Sequence, residues 1–226
     1  MYSKAMKPKS KSALAIVIAM ALVVALTACG GGSSEAGKTT APSAKNAVPS
    51  SATEAKKAYA STLEAGYYEI GIDIPAGTYD FELVSGSGNV FDIGDSVNLM
   101  MGKGENFQQS YKNAELKDGN TLVLSQCSIK ISSKAVNASL KKRDNTSAKE
   151  IVLSSGKYTA GKDFQPGYYD ITLVSGSGNV ICEDNQLNAM IGSDTSMFVK
   201  GYKNVPFKDG NKLDIEGPKV KLTPSK

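Results

Sequence analysis

The octapeptide Leu83-Val84-Ser85-Gly86-Ser87-Gly88-Asn89-Val90 returns letter for letter at Leu173 to Val180. A chain that carries such a stretch twice is built from two copies of one unit, and that restricts its fold more than any other feature. With an offset of 90, Gly66, Gly71, Asp73, Gly77, Tyr79 and Asp80 fall on Gly156, Gly161, Asp163, Gly167, Tyr169 and Asp170. One extra residue enters past Gly102 and Gly192, and Tyr111-Lys112-Asn113 and Lys117-Asp118-Gly119-Asn120 then recur at an offset of 91. This spacing assigns residues 61–134 to copy one and 150–226 to copy two, with 135–149 as a polar linker carrying Lys141-Lys142-Arg143. Units of about 70 residues bury modest cores, and two of them can brace one another.

Inside each copy the hydrophobic period is two. Tyr79, Phe81 and Leu83 alternate with Asp80 and Glu82, as Tyr169, Ile171 and Leu173 alternate with Asp170 and Thr172. Such strands bury one face and wet the other, the habit of antiparallel sheets. Gly86-Ser87-Gly88 and Gly176-Ser177-Gly178 lack the longer glycine pattern and following helix of a phosphate cradle, so they read as tight turns between strands. Asp118-Gly119 and Asp209-Gly210 read as hairpin turns. A three-residue loop would pair Leu116 with Leu122 and Ala114 with Leu124, and in copy two Phe207 with Leu213 and Val205 with Ile215, keeping the apolar set on one face. The expected fold is all-β: two tandem small antiparallel β-sandwich or jelly-roll-like modules.

The N-terminus reads as an address. A basic start from Met1 to Lys11 precedes an apolar stretch from Ala13 to Leu26, too short for a comfortable membrane span, and then Leu26-Thr27-Ala28-Cys29. These residues resemble the lipobox of bacterial lipoprotein signal peptides. The resemblance implies cleavage after Ala28, diacylglyceryl attachment to Cys29, and a mature chain tethered to the extracytoplasmic face of a cell membrane. Residues 1–28 are therefore expected to be a signal peptide. Residues 29–60, rich in Gly, Ser, Ala, Thr and Pro, are expected to form a disordered stalk.

Charge and composition exclude several functions. Four of the 26 basic residues, Lys4, Lys7, Lys9 and Lys11, precede Cys29 without an acid among them, leaving 22 basic against 22 acidic residues afterwards. A neutral mature chain without a basic cluster is not expected to bind nucleic acid. Histidine is absent, which removes the commonest general base and metal ligand. Three widely spaced cysteines do not make a structural zinc site. Neither cofactor nor metal is expected, and no nucleophile motif supports an enzyme.

The run Gly66-Tyr67-Tyr68-Glu69-Ile70-Gly71-Ile72-Asp73-Ile74-Pro75-Ala76-Gly77-Thr78-Tyr79 resembles modules of exported proteins of Gram-positive bacteria that carry Gly-x-Tyr-x-x-Gly-x-Asp-Ile-Pro-Ala-Gly-x-Tyr. Copy two departs from it, with Phe164-Gln165-Pro166 in place of Ile-Pro-Ala. The resemblance implies a fold and brings no activity with it.

Six residues stand out as candidate ligand contacts. Tyr68 and Tyr168 are expected at the surface, where amphipathic rings bind sugars or proteins. Asp73 and Asp80 flank one turn, and Asp163 and Asp170 flank its repeat. If 74 pairs with 79, the two acids of each copy face one another, which calcium would offset; the alternative has Asp73 capping its own turn and Asp80 in solvent. Cys127 and Cys182 either bridge the copies or remain buried thiols. The expected role is a lipid-anchored protein displaying two β modules that bind a cell-wall polymer, glycan or protein, with a purely structural envelope lipoprotein as the alternative.

Overall fold

The computed structural model describes residues 56–94 and 96–226; the expected signal peptide, Cys29 and the expected stalk up to residue 55 lie outside them. Copy one contains β1 (Lys57–Leu63), β2 (Gly66–Glu69), β3 (Gly77–Gly86), β4 (Gly88–Asp92), β5 (Asn98–Met101), β6 (Ser110–Leu116), β7 (Thr121–Leu124) and β8 (Cys127–Val136). Copy two contains β9 (Ile151–Leu153), β10 (Gly156–Thr159), β11 (Gly167–Ser175), β12 (Gly178–Cys182), β13 (Leu187–Ile191), β14 (Gly201–Phe207), β15 (Lys212–Glu216) and β16 (Lys219–Pro224). The fold is all-β.

Each copy divides its strands between two sheets in the same way. The orders are β1-β8-β3-β6 and β2-β7-β4-β5 in copy one, and β9-β16-β11-β14 and β10-β15-β12-β13 in copy two. Apart from the β4–β5 and β12–β13 hairpins, successive strands cross back and forth between the sheets, the connectivity of an eight-stranded jelly roll. The alternating residues fill the space between them: Tyr79 and Phe81 from β3 meet Val90, Leu99, Leu122 and Leu124 from the opposite sheet, and Tyr169 and Ile171 meet Val180, Leu187, Leu213 and Ile215.

This connectivity corrects the expected hairpins. Leu116 pairs with Gly77 and Ala114 with Tyr79, while Leu122 and Leu124 pair with Tyr68 and Gly66 of β2. Phe207 and Val205 likewise pair with Gly167 and Tyr169, while Leu213 pairs with Tyr158 and Ile215 with Gly156 and Val180. All eight residues are buried as expected. Alternation specifies which face points inward; it does not specify which of two facing sheets a strand joins.

The Asp-Gly turns instead carry the chain from one sheet to the other. The N–H of Gly119 donates to Ile70 O and that of Ile70 to Asn120 O, with Gly210, Ala160 and Asn211 repeating the pattern. A Cβ on Gly71 would lie 1.9 Å from the Asp118 carboxylate, and one on Gly161 would lie 1.7 Å from that of Asp209, so these repeated glycines let the turn close.

The copies share one compact unit, Ser51–Lys226. Gly66 of β2 bridges Lys203 of β14 in parallel, joining one sheet of each copy into an eight-stranded sheet with β5 and β9 at its edges. Two expected boundaries move. Copy one starts at Lys57, because the Lys57–Leu63 strand pairs with β8. It ends at Val136 with β8, and the linker that follows is docked: the Lys141 N–H donates to Gly71 O, and Asn145 exchanges hydrogen bonds with both main-chain groups of Tyr168.

Candidate functional site

Four of the six candidate residues have local structural tasks. Asp73 accepts the Glu69 N–H at 2.8 Å and Asp163 the Thr159 N–H at 2.7 Å, so both cap their own turns. Ile74 bridges Ile70 and Tyr79 pairs with Ala114, so the expected 74–79 pairing does not form. Asp80 is held, not free in solvent. It accepts from the Asn113 N–H and the Lys112 ammonium, both at 3.1 Å, where a bulge puts Asn113 at φ 59°. Asp170 takes the same bonds from Asn204 and Lys203 and adds the Ser225 hydroxyl. The repeated Tyr-Lys-Asn and Asp are thus the two halves of one pinned β-bulge. The Asn113 N–H, and then Lys112, hold the Asp80 carboxyl below its usual range.

Tyr68 is 8% exposed and faces the core, with its hydroxyl donating to Glu64 O at 2.9 Å. It is not a surface platform. Burial pushes its phenol pKa well up. Adjacent Tyr67 is also buried, because β2 has its own core on one side and copy two on the other: Ala65, Tyr67 and Val123 belong to the copy-two cluster. Cys127 and Cys182 are free, buried thiols in different clusters, not a bridge. Burial raises the Cys127 thiol to about 11. Among the described residues, no three His, Cys, Asp or Glu side chains gather as a metal site.

Tyr168 marks the one place where the candidates converge. It lies half-buried with the Arg143 guanidinium 4.1 Å from its ring centre. Arg143 leaves the linker to enter the junction of the copies, where its side chain is only 2% exposed. There Nη2 is hydrogen-bonded to Asp73 of copy one, and Nη1 lies 3.7 Å from Glu69 Oε2. The side chain therefore joins the linker, a turn of copy one and a ring of copy two. Arginine suits such a position because its flat, weakly hydrated cation stacks and forks at once. Its Nε and Nη1 are nonetheless buried without a hydrogen-bond acceptor, which costs roughly 1–3 kcal/mol for each unmet group.

Arg143 lies at the floor of a cleft of about 330 Å³ between the copies. Tyr67, Glu69, Ile93 and Thr121 line it from copy one, and Tyr168, Asn185, Gln186 and Asn204 from copy two. The Tyr67 hydroxyl donates across the junction to Asn185 O at 3.2 Å, and the Lys203 N–H donates to Ala65 O at 2.9 Å. Burial, then Glu69, pushes the Tyr168 phenol up.

Sequence reasoning placed Arg143 only within a polar linker. One signal could have found it: among 26 basic residues it is the only arginine. A search of protein-family models, one of curated proteins and one of solved structures each return no match.

Proposed function

We propose that this chain is a lipid-anchored extracytoplasmic protein whose role is to bind an envelope ligand (a cell-wall polymer, glycan or protein) without turning it over. The observation that carries this reading is the shared cleft. Both jelly rolls and their linker contribute to one polar concavity floored by a buried arginine, and junctions between such units are where ligand clefts form. The Leu26-Thr27-Ala28-Cys29 motif supports the anchor. The absence of histidine supports binding over acid–base catalysis. Because Tyr68 is buried and Tyr168 belongs to the junction, one site per chain replaces a pair of repeated sites.

A second reading, a structural envelope lipoprotein, is favoured by one observation: Val84 and Val174, equivalent in the two copies, are 51% and 50% exposed. Matching apolar side chains of this kind suit a partner surface. Co-sedimentation of the Ser51–Lys226 unit with purified cell walls, with albumin as control, separates the two. Saturable pelleting supports ligand binding, and its absence transfers the weight to the structural role.

A further inference from the structure

We propose that the cleft between the copies takes a short, neutral saccharide segment, one per chain; this rests on the ligand-binding reading above and names the ligand class. The charge at the cleft floor sets the first limit. Among the lining residues Glu69 and Asp184 balance Arg143 and Lys208, and Asp73 adds a further acid against Arg143, so a carboxylate or phosphate meets no surplus positive charge. The acceptor that fits is uncharged.

Hydrogen-bonding capacity sets the second limit. Nε and Nη1 of Arg143 lack hydrogen-bond acceptors but are sealed from solvent, so the polar groups open to a ligand are those of the other lining side chains. Thr121, Gln186 and Asn204 line the cleft, and the side chains of these three make no hydrogen bond in the described structure, where Asn204 is engaged through its main-chain N–H alone. Together they offer donors and acceptors in a small space, the complement of hydroxyl and acetamido groups, which both give and take hydrogen bonds. Ile93, 51% exposed at the same cleft, supplies an apolar surface for the C–H face of a sugar ring. At about 330 Å³ the cleft sits at the lower end of the usual range for small-ligand sites, enough for a segment of a chain and not for a folded partner.

Copy two has no second version of this site. Its counterparts of Ile93 and Thr121 are Glu183 and Lys212, which supply neither the apolar surface nor the hydroxyl. One site per chain is therefore a numerical expectation.

The test uses the Ser51–Lys226 unit, which is compact by itself. It is titrated calorimetrically with fully N-acetylated chitotetraose, a neutral N-acetylhexosamine oligomer, and with tetragalacturonate as the anionic counterpart. The proposal expects one chitotetraose per chain and at least roughly tenfold weaker binding of the anion. Thr121→Val keeps a strand residue of the same shape, and Gln186→Gly suits a backbone at φ 64°, so both variants should fold. Each should weaken chitotetraose binding roughly three- to tenfold, the worth of a lost hydrogen bond. Two sites per chain, a tighter anion, or variants that bind like the parent would overturn it. The outcomes also separate the two readings. Pelleting with cell walls that both variants retain, without chitotetraose binding, removes the saccharide assignment and leaves wall binding in place. Chitotetraose binding lost in the variants, without wall pelleting, keeps the cleft and removes the wall as its target.

Discussion

In copy one the outer face of β2 and β7 sets Tyr67 opposite Val123, whereas the equivalent rung of β10 and β15 in copy two sets Lys157 opposite Asp214. Ala65 corresponds to Ser155 in the same way. The backbones match, and the chemistry is opposite. Tyr67 and Val123 are buried against copy two, while Lys157 and Asp214 form an ion pair on an open face, with the lysine side chain 83% exposed. A duplicated fold begins with two equal chances to build a junction. Apolar residues on one face and charged residues on the other let it form once and stop, so that the contact does not repeat head-to-tail between chains.

The comparison breaks most completely if copy one is given the chemistry of copy two. Tyr67→Lys with Val123→Asp should cost about 3–5 kcal/mol in urea denaturation, as expected for loss of a large buried side chain. It should also split one unfolding transition into two as the copies come apart. A single transition at unchanged midpoint would show that the junction contributes little.

A smaller effect is expected at the linker. Arg143→Ala leaves Asp73 and Glu69 facing each other without their cation and should cost about 3 kcal/mol. Asp73→Asn added to Arg143→Ala should recover part of that loss. Arg143→Lys should recover little, because an ammonium neither forks nor stacks on Tyr168. Full rescue by lysine would reduce the site to a simple charge contact.

The smallest effect concerns a feature the copies share. The Asp80 carboxyl is depressed by the Asn113 N–H and by Lys112. A group with a depressed folded pKa stabilises above its unfolded pKa, and that contribution fades as pH falls below about 4. Asp80→Asn should therefore flatten the acid limb of the stability curve and leave its slope near neutral pH unchanged. An acid limb identical to that of the parent would remove Asp80 from the balance.

The repeat made the duplicated topology legible, and period-two alternation identified the inward residues Tyr79, Phe81, Tyr169 and Ile171. Where reading failed, two surfaces looked alike in one dimension. Leu116 and Leu122 have the same pattern whether they pair in one sheet or face each other across a core. Tyr67 and Tyr68 point in opposite directions, so one of them should meet solvent; both are buried because a second copy covers the far side of β2. Lys57 to Ala60 is rich in alanine and has no β-branched residue, so it does not announce an edge strand. The cleft was the least visible part, since it depends on how the copies meet. Even so, the divergence of Tyr67 and Val123 into Lys157 and Asp214 was present in the aligned repeats.

The bridge between Gly66 and Lys203 also bears on the order of folding. These partners lie 137 positions apart (203 − 66), and the contact needs an edge strand from each finished jelly roll. Contacts of such long range are slow to form, because the ordering entropy precedes their reward. Each copy should therefore collapse by itself, with docking as the last and slowest step on the way in and the first to reverse on the way out. A chain emerging N-terminus first would hold copy one complete, with Tyr67 and Val123 bare, for as long as copy two takes to arrive.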